Sequence, residues 1–146
     1  MRYLRPQEFN PELPPIRQLT REQLKALNRK GPLWEVMDDY YRWTETLGWF
    51  CIKRSLLTNG ASRPPWAKWL ISRFGRHTGA VLPHDGGYDG KLYDLDGNLL
   101  HPTRSEMDDA FLELMIQDRV RKWKRNIMFK AVRIRGASHW HKNSAA

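Results

Sequence analysis

Five of the nine prolines, Pro6, Pro11, Pro14, Pro15 and Pro32, fall within the first 32 residues. Proline lacks a backbone N–H and holds φ fixed, so it is excluded from helix interiors and from the middle of a sheet. Residues 1–32 are therefore expected to form an arm with one regular piece, "LTREQLKALNRKG". There Thr20 and Gln23 make a capping box, Leu24 and Leu27 a short apolar stripe, and Gly31 a stop. An arm of this kind buries little surface by itself, so it straps back over the domain or docks on a neighbour. Residues 33–136 are left to build a single globular domain, with 137–146 as a C-terminal tail. At 146 residues, 40% of them hydrophobic, the chain is long enough for one real core.

From Leu33 the pattern is β-like. "LWEVMDDYYRWTET" and "LGWFCIKRSLL" are rich in aromatic and β-branched residues and flank a Thr-Glu-Thr-Leu-Gly turn, which predicts a hairpin. "SRPPWAKWLISRFG" reads as a helix capped by Ser62 and stopped by Gly75. In "HTGAVLPHDGGYDG", Gly86 and Gly87 each cost a helix about 1 kcal/mol relative to alanine, so a short or irregular helix is expected. "KLYDLDGNLLH" reads as a small hairpin about Asp96-Gly97-Asn98, its acidic spacing failing the calcium-loop pattern. Thr103 and Glu106 form a second capping box that opens "RSEMDDAFLELMIQD". In the last helix, "RKWKRNIMFKAVRIR", an inner stripe of Trp123, Ile127, Ala131 and Ile134 is expected. The fold class is α+β: N-terminal β-hairpins packed on a small bundle of three or so helices.

The net charge of +9 is unevenly placed. Residues 119–146 hold nine Lys/Arg and no acid, whereas residues 1–118 hold sixteen of each sign. Arg121, Lys122, Lys124, Arg125, Lys130 and Arg133 give the last helix a basic face, suited to phosphate, an anionic membrane or an acidic protein. The lone Cys51 forms no internal disulfide, and "MRYLRPQEFNPELPP" contains no apolar run for a signal or a span. Synthesis in a reducing cytosol and a soluble product are the expectation. No zinc spacing, P-loop or nucleotide-binding glycine fingerprint is present.

The chemistry-bearing stretch is "LPHDGGYDG". His84 and Asp85 are adjacent, Tyr88 lies one helical turn on, and Asp108 falls beside an apolar stripe of Phe111, Leu112 and Met115 on the later helix. A carboxylate there needs a partner. Two readings stay open: a reaction centre, or a satisfied polar knot between two helices.

The stretches "LTNGASRPPW", "HDGGY", "RSEMDDAFLELM" and "FKAVRIRG" resemble, in that order, the phage and bacterial family called domain of unknown function 1353. The family usually carries aspartate where this sequence has Asn59, which removes a negative charge from that loop. Its phage association implies an accessory or structural virion protein of the tail or connector, partnered by other phage structural proteins through the arm and the basic helix. The His-Asp-x-x-Tyr pattern with a distant aspartate is also similar to the centre of phospholipase A2 enzymes. That resemblance implies His84 as general base, Asp108 as its orienting carboxylate with Tyr88 hydrogen-bonded to it, and calcium held by Asp85. Carbonyls of a loop containing Asn59 and Gly60 would complete the calcium site. It makes a calcium-dependent lipid-ester hydrolase, acting during phage entry or release, the alternative function. A nucleic-acid-binding module using the basic helix is the third.

Overall fold

The computed structural model describes residues 16–30, 32–58, 71 and 75–140. The expected helix over Ser62–Gly75, the loop residues Asn59 and Gly60, and the first fifteen residues of the arm lie outside the described residues or nearly so.

The architecture is α+β. Strand β1 (Ile16–Gln18) leads into helix α1 (Arg21–Ala26), followed by β2 (Trp34–Val36), β3 (Tyr40–Thr44), β4 (Gly48–Ile52) and β5 (Leu57–Thr58). Helices α2 (Thr78–Tyr88), α3 (Arg104–Gln117) and α4 (Lys122–Arg135) follow, and a 3-10 turn spans Gly136–His139. The strands form two antiparallel sheets, β1-β2-β5 and β3-β4. In the first, Ile16 pairs with Val36 and Trp34 with Thr58. The arm thus straps back through β1. The expected hairpin is β3-β4, with Trp43 opposite Trp49.

Helix α1 carries the expected capping box but ends earlier than Gly31, because Asn28 takes the left-handed conformation at φ 54°. Asparagine tolerates that region and closes the helix. The small second hairpin is reduced to single bridges of Tyr93 with Cys51 and with Leu99. Its turn is held by Asp94 Oδ1, which accepts from the backbone N–H of Asp96 at 2.9 Å and of Asn98 at 2.8 Å.

Helix α2 is the centre of the molecule, buried at every residue except Asp85. A helix apolar on all sides belongs inside a core, and here α3 packs along it with Met107, Phe111, Leu114 and Met115. It is also more regular than the glycines suggest. A Cβ at Gly87 would collide with the Met107 side chain, so glycine is what lets α3 approach. Pro83 lies inside α2 and donates nothing to the carbonyl of Gly79. The buried guanidinium of Arg42 supplies that hydrogen bond from Nη1 at 3.1 Å while pairing with buried Asp118, Nη2 to Oδ1, at 2.8 Å.

Helix α4 is turned away from its expected orientation. Met128 is its one buried residue, supported by Ile127, Phe129 and Val132, whereas Trp123 is 42% and Ile134 79% exposed. The turn follows from hydrogen bonds. Arg104 Nη2 on α3 donates to the carbonyls of Val132 at 3.0 Å and Arg133 at 2.6 Å, and Arg133 reaches inward to Asp108.

Candidate functional site

The central feature is Asp108, fully buried on α3. His84 and Tyr88 occupy one face of α2, four residues apart. His84 Nε2 lies 2.8 Å from Asp108 Oδ1, and the Tyr88 hydroxyl donates to the same oxygen at 2.6 Å. Arg133 Nη1 on α4 donates to Oδ2 at 2.8 Å. Arg104 Nε donates to the Tyr88 oxygen at 3.1 Å and stands 3.9 Å from Oδ2. One carboxylate therefore joins α2, α3 and α4.

The electrostatics fix the proton positions. Burial pushes the Asp108 carboxyl up, but the hydrogen bonds from His84, Tyr88 and Arg133 outweigh it and hold the group below its ordinary value. It is an ionised acceptor. Burial lowers His84, and the hydrogen bond and charge of Asp108 oppose this without cancelling it, so the imidazole is neutral near pH 7. A neutral ring facing a carboxylate through Nε2 carries its hydrogen there. Nδ1 is left as the basic nitrogen, and no hydrogen bond within the described residues occupies it. Burial, and then the bond to Asp108, raise Tyr88 well above the usual phenol value, so it remains a donor. The His84 ring also lies between the rings of Tyr88 and Phe111, at 4.2 and 4.6 Å between centroids and tilted by 35° and 37°, which restricts its plane.

His84 and Asp85 both line a cavity of about 700 Å³. Its wall is apolar at Leu33, Leu57, Phe111 and Met128 and basic at Arg29 and Arg135. Adjacent helical residues point about 100° apart, so Asp85 faces the β5 side, where the Thr58 hydroxyl donates to Oδ2 at 2.7 Å. Burial pushes Asp85 up to about 7, the Thr58 hydrogen bond lowering it only in part.

The fit to calcium can be judged on that carboxylate. Oδ1 of Asp85 has no hydrogen-bond partner among the described residues, and a carboxylate raised by burial and by the nearby charge of Asp89 suits a hard cation. Among the described residues no three His, Cys, Asp or Glu side chains converge on a metal position. The Asp89 carboxylate, one helical turn on, lines the same cavity and is near enough to raise Asp85, while Asn59 and Gly60 are outside the described residues.

Of the basic residues singled out from the sequence, Arg121, Lys122 and Lys130 are exposed, Lys124 and Arg125 are half-buried, and Arg133 is drawn to Asp108. Arg125 donates to the carbonyl of Val120 at 3.3 Å, capping the turn before α4. Sequence reasoning missed Arg104, although its place four residues before Asp108 is the spacing of a helical ion pair. It also missed Trp140, whose ring meets Tyr88 edge-on at 4.9 Å, for which the sequence carries no signal.

These features define an α+β protein whose central helix presents a histidine, backed by a buried carboxylate, to a cavity. Residues 34–132 match the family described as protein of unknown function (DUF1353), and the chain belongs to that family. No curated protein and no solved structure matches it. No helix among the described residues is long and apolar enough to cross a membrane.

Proposed function

We propose that this chain is a calcium-assisted hydrolase of acyl esters, with phospholipid as the substrate class. The observation that carries the reading is the orientation of His84: Nε2 is held by Asp108 at 2.8 Å, and the ring borders the cavity with Nδ1 uncommitted. That is the arrangement a general base for water requires.

In this reading Nδ1 takes a proton from water as the water oxygen attacks the ester carbonyl carbon. The imidazolium so formed is stabilised by the Asp108 carboxylate, which Tyr88 and Arg133 keep ionised and fixed. When the tetrahedral intermediate collapses, the carbon–oxygen bond to the alcohol breaks and Nδ1 returns the proton to the leaving oxygen. Calcium, when bound at Asp85, supplies an electrophile for the carbonyl and charge for the oxyanion. The apolar wall at Leu33, Leu57 and Phe111 accommodates an acyl chain. A phage-particle accessory role is ranked second: it rests on the family resemblance, and the described part of the arm, Ile16–Gln18, pairs with β2 of this same chain.

The test is hydrolysis of fluorogenic phospholipid vesicles in calcium and in chelator by the wild type, His84→Ala and Asp108→Asn. Expected is calcium-dependent turnover that falls by about 10²- to 10⁴-fold in His84→Ala. Absence of turnover in the wild type, with both variants merely less stable to heat, would reduce the cluster to a structural knot.

A further inference from the structure

The outer face of α4 is amphipathic in an unusual sense. On a helix advancing about 100° per residue, Trp123, Ile134 and Ile127 fall within about 40° of one another, and buried Met128 and half-buried Val132 lie about 120–160° round from the middle of that stripe. Trp123 is 42% and Ile134 79% exposed, so these two side chains are not used in the core, whereas half-buried Ile127 packs against it. Lys130 directly adjoins it and exposed Lys122 continues the basic flank beyond, while the Arg133 guanidinium turns in to Asp108. On its other side lies Ala131, which lines the cavity shared by His84 and Asp85. An exposed apolar stripe, a basic flank and part of the cavity wall thus run side by side on one helix.

We infer that this face of α4 is a docking surface for an anionic lipid bilayer. A tryptophan at the edge of an exposed apolar stripe suits the headgroup boundary, where its ring is apolar on one side and its N–H is wet. The charge complements an anionic surface, because residues 119–146 carry nine Lys/Arg and no acid. Nucleic acid would use the same charges but would gain nothing from an exposed Ile134. Docking in this orientation brings the Ala131 side of the cavity wall toward the bilayer. In assigning the partner of the proposed hydrolytic site the inference rests on that reading, but binding is measured separately from turnover.

The probe is a vesicle of ether-linked phosphatidylglycerol and phosphatidylcholine, which contains no acyl ester to hydrolyse, used with the full chain in a sedimentation assay. The expected result is binding at least about tenfold tighter than to phosphatidylcholine alone. The pair Trp123→Ala with Ile134→Ser should weaken it by about tenfold or more at unchanged charge and unchanged thermal midpoint. Lys122→Glu with Lys130→Glu should abolish the preference for the anionic lipid. No binding, or binding indifferent to the Trp123 and Ile134 pair, overturns the inference. So does tight binding of a short DNA duplex that equals or exceeds the vesicle binding. Intact binding in His84→Ala and in the wild type, with no ester hydrolysis, would keep the docking face and reject the hydrolase.

Discussion

Asp108 and Asp85 are carboxylates of opposite character only a few side chains apart. Asp108 collects donors from His84, Tyr88 and Arg133 and is fixed as an anion, while Asp85 has the Thr58 hydroxyl alone and is pushed up to about 7. The first is suited to steady a ring and the second to accept a cation. Cation binding at Asp85 must then displace a proton whenever the group is protonated beforehand. Calorimetric titration of calcium in two buffers of different ionisation enthalpy should show release of roughly one proton at about pH 6 and almost none at about pH 8.5. Asp85→Asn should show neither the release nor the calcium heat. Calcium heat without proton release at the lower pH would place the ion away from Asp85.

At the scale of elements, α2 depends on its glycines in different ways. A Cβ at Gly87 would enter the space of buried Met107, whereas one at Gly86 would sit 3.5 Å from Leu56 Cδ2, an ordinary contact. Gly87→Ala is expected to destabilise by about 1–3 kcal/mol through overpacking. Gly86→Ala is expected to be neutral, or stabilising by up to about 1 kcal/mol from the helix backbone. Chemical denaturation of both variants tests this, and equal effects would refute the packing account. The same contrast explains what the sequence could reveal. Capping boxes at Thr20 and Thr103 and the β3-β4 hairpin depend on neighbours a few residues away and were legible. The regularity of α2 depends on Met107 and Arg42, distant in sequence, and was not. For α4 the apolar periodicity is real but its rotation is set by Arg104 and Arg133 satisfying polar groups, so Ile127 meets the core while Trp123 and Ile134 of the same stripe face outward. His84, Tyr88 and Asp108 were legible because a carboxylate beside apolar residues demands partners, and an α2 pair one turn apart meets it.

For the whole molecule, these groups give stability a pH dependence with opposing parts. His84 has a folded value below its ordinary 6.5, so its contribution is complete above that and is lost as pH falls. Asp108, also lowered, contributes fully above 3.8 and loses stability only in stronger acid. Asp85 has the reverse sign. Raised from 3.8 to about 7, it favours folding when protonated and loses that contribution as pH rises between those values. Without calcium, the wild type at about pH 8 carries an ionised, half-buried Asp85, a cost on the order of 2 kcal/mol after discounting for its partial exposure. Asp85→Asn removes that cost while retaining an acceptor for the Thr58 hydroxyl. In chelator its melting midpoint should exceed that of the wild type by roughly 5 °C at about pH 8. The gap should close toward about pH 4, where the wild-type carboxyl is protonated. Calcium should raise the wild-type midpoint at the higher pH and leave the variant unmoved, since a ligand stabilises only the form that binds it. A variant less stable than the wild type at both pH values would mean that Asp85 is satisfied as an anion by the fold itself, with no need of a cation.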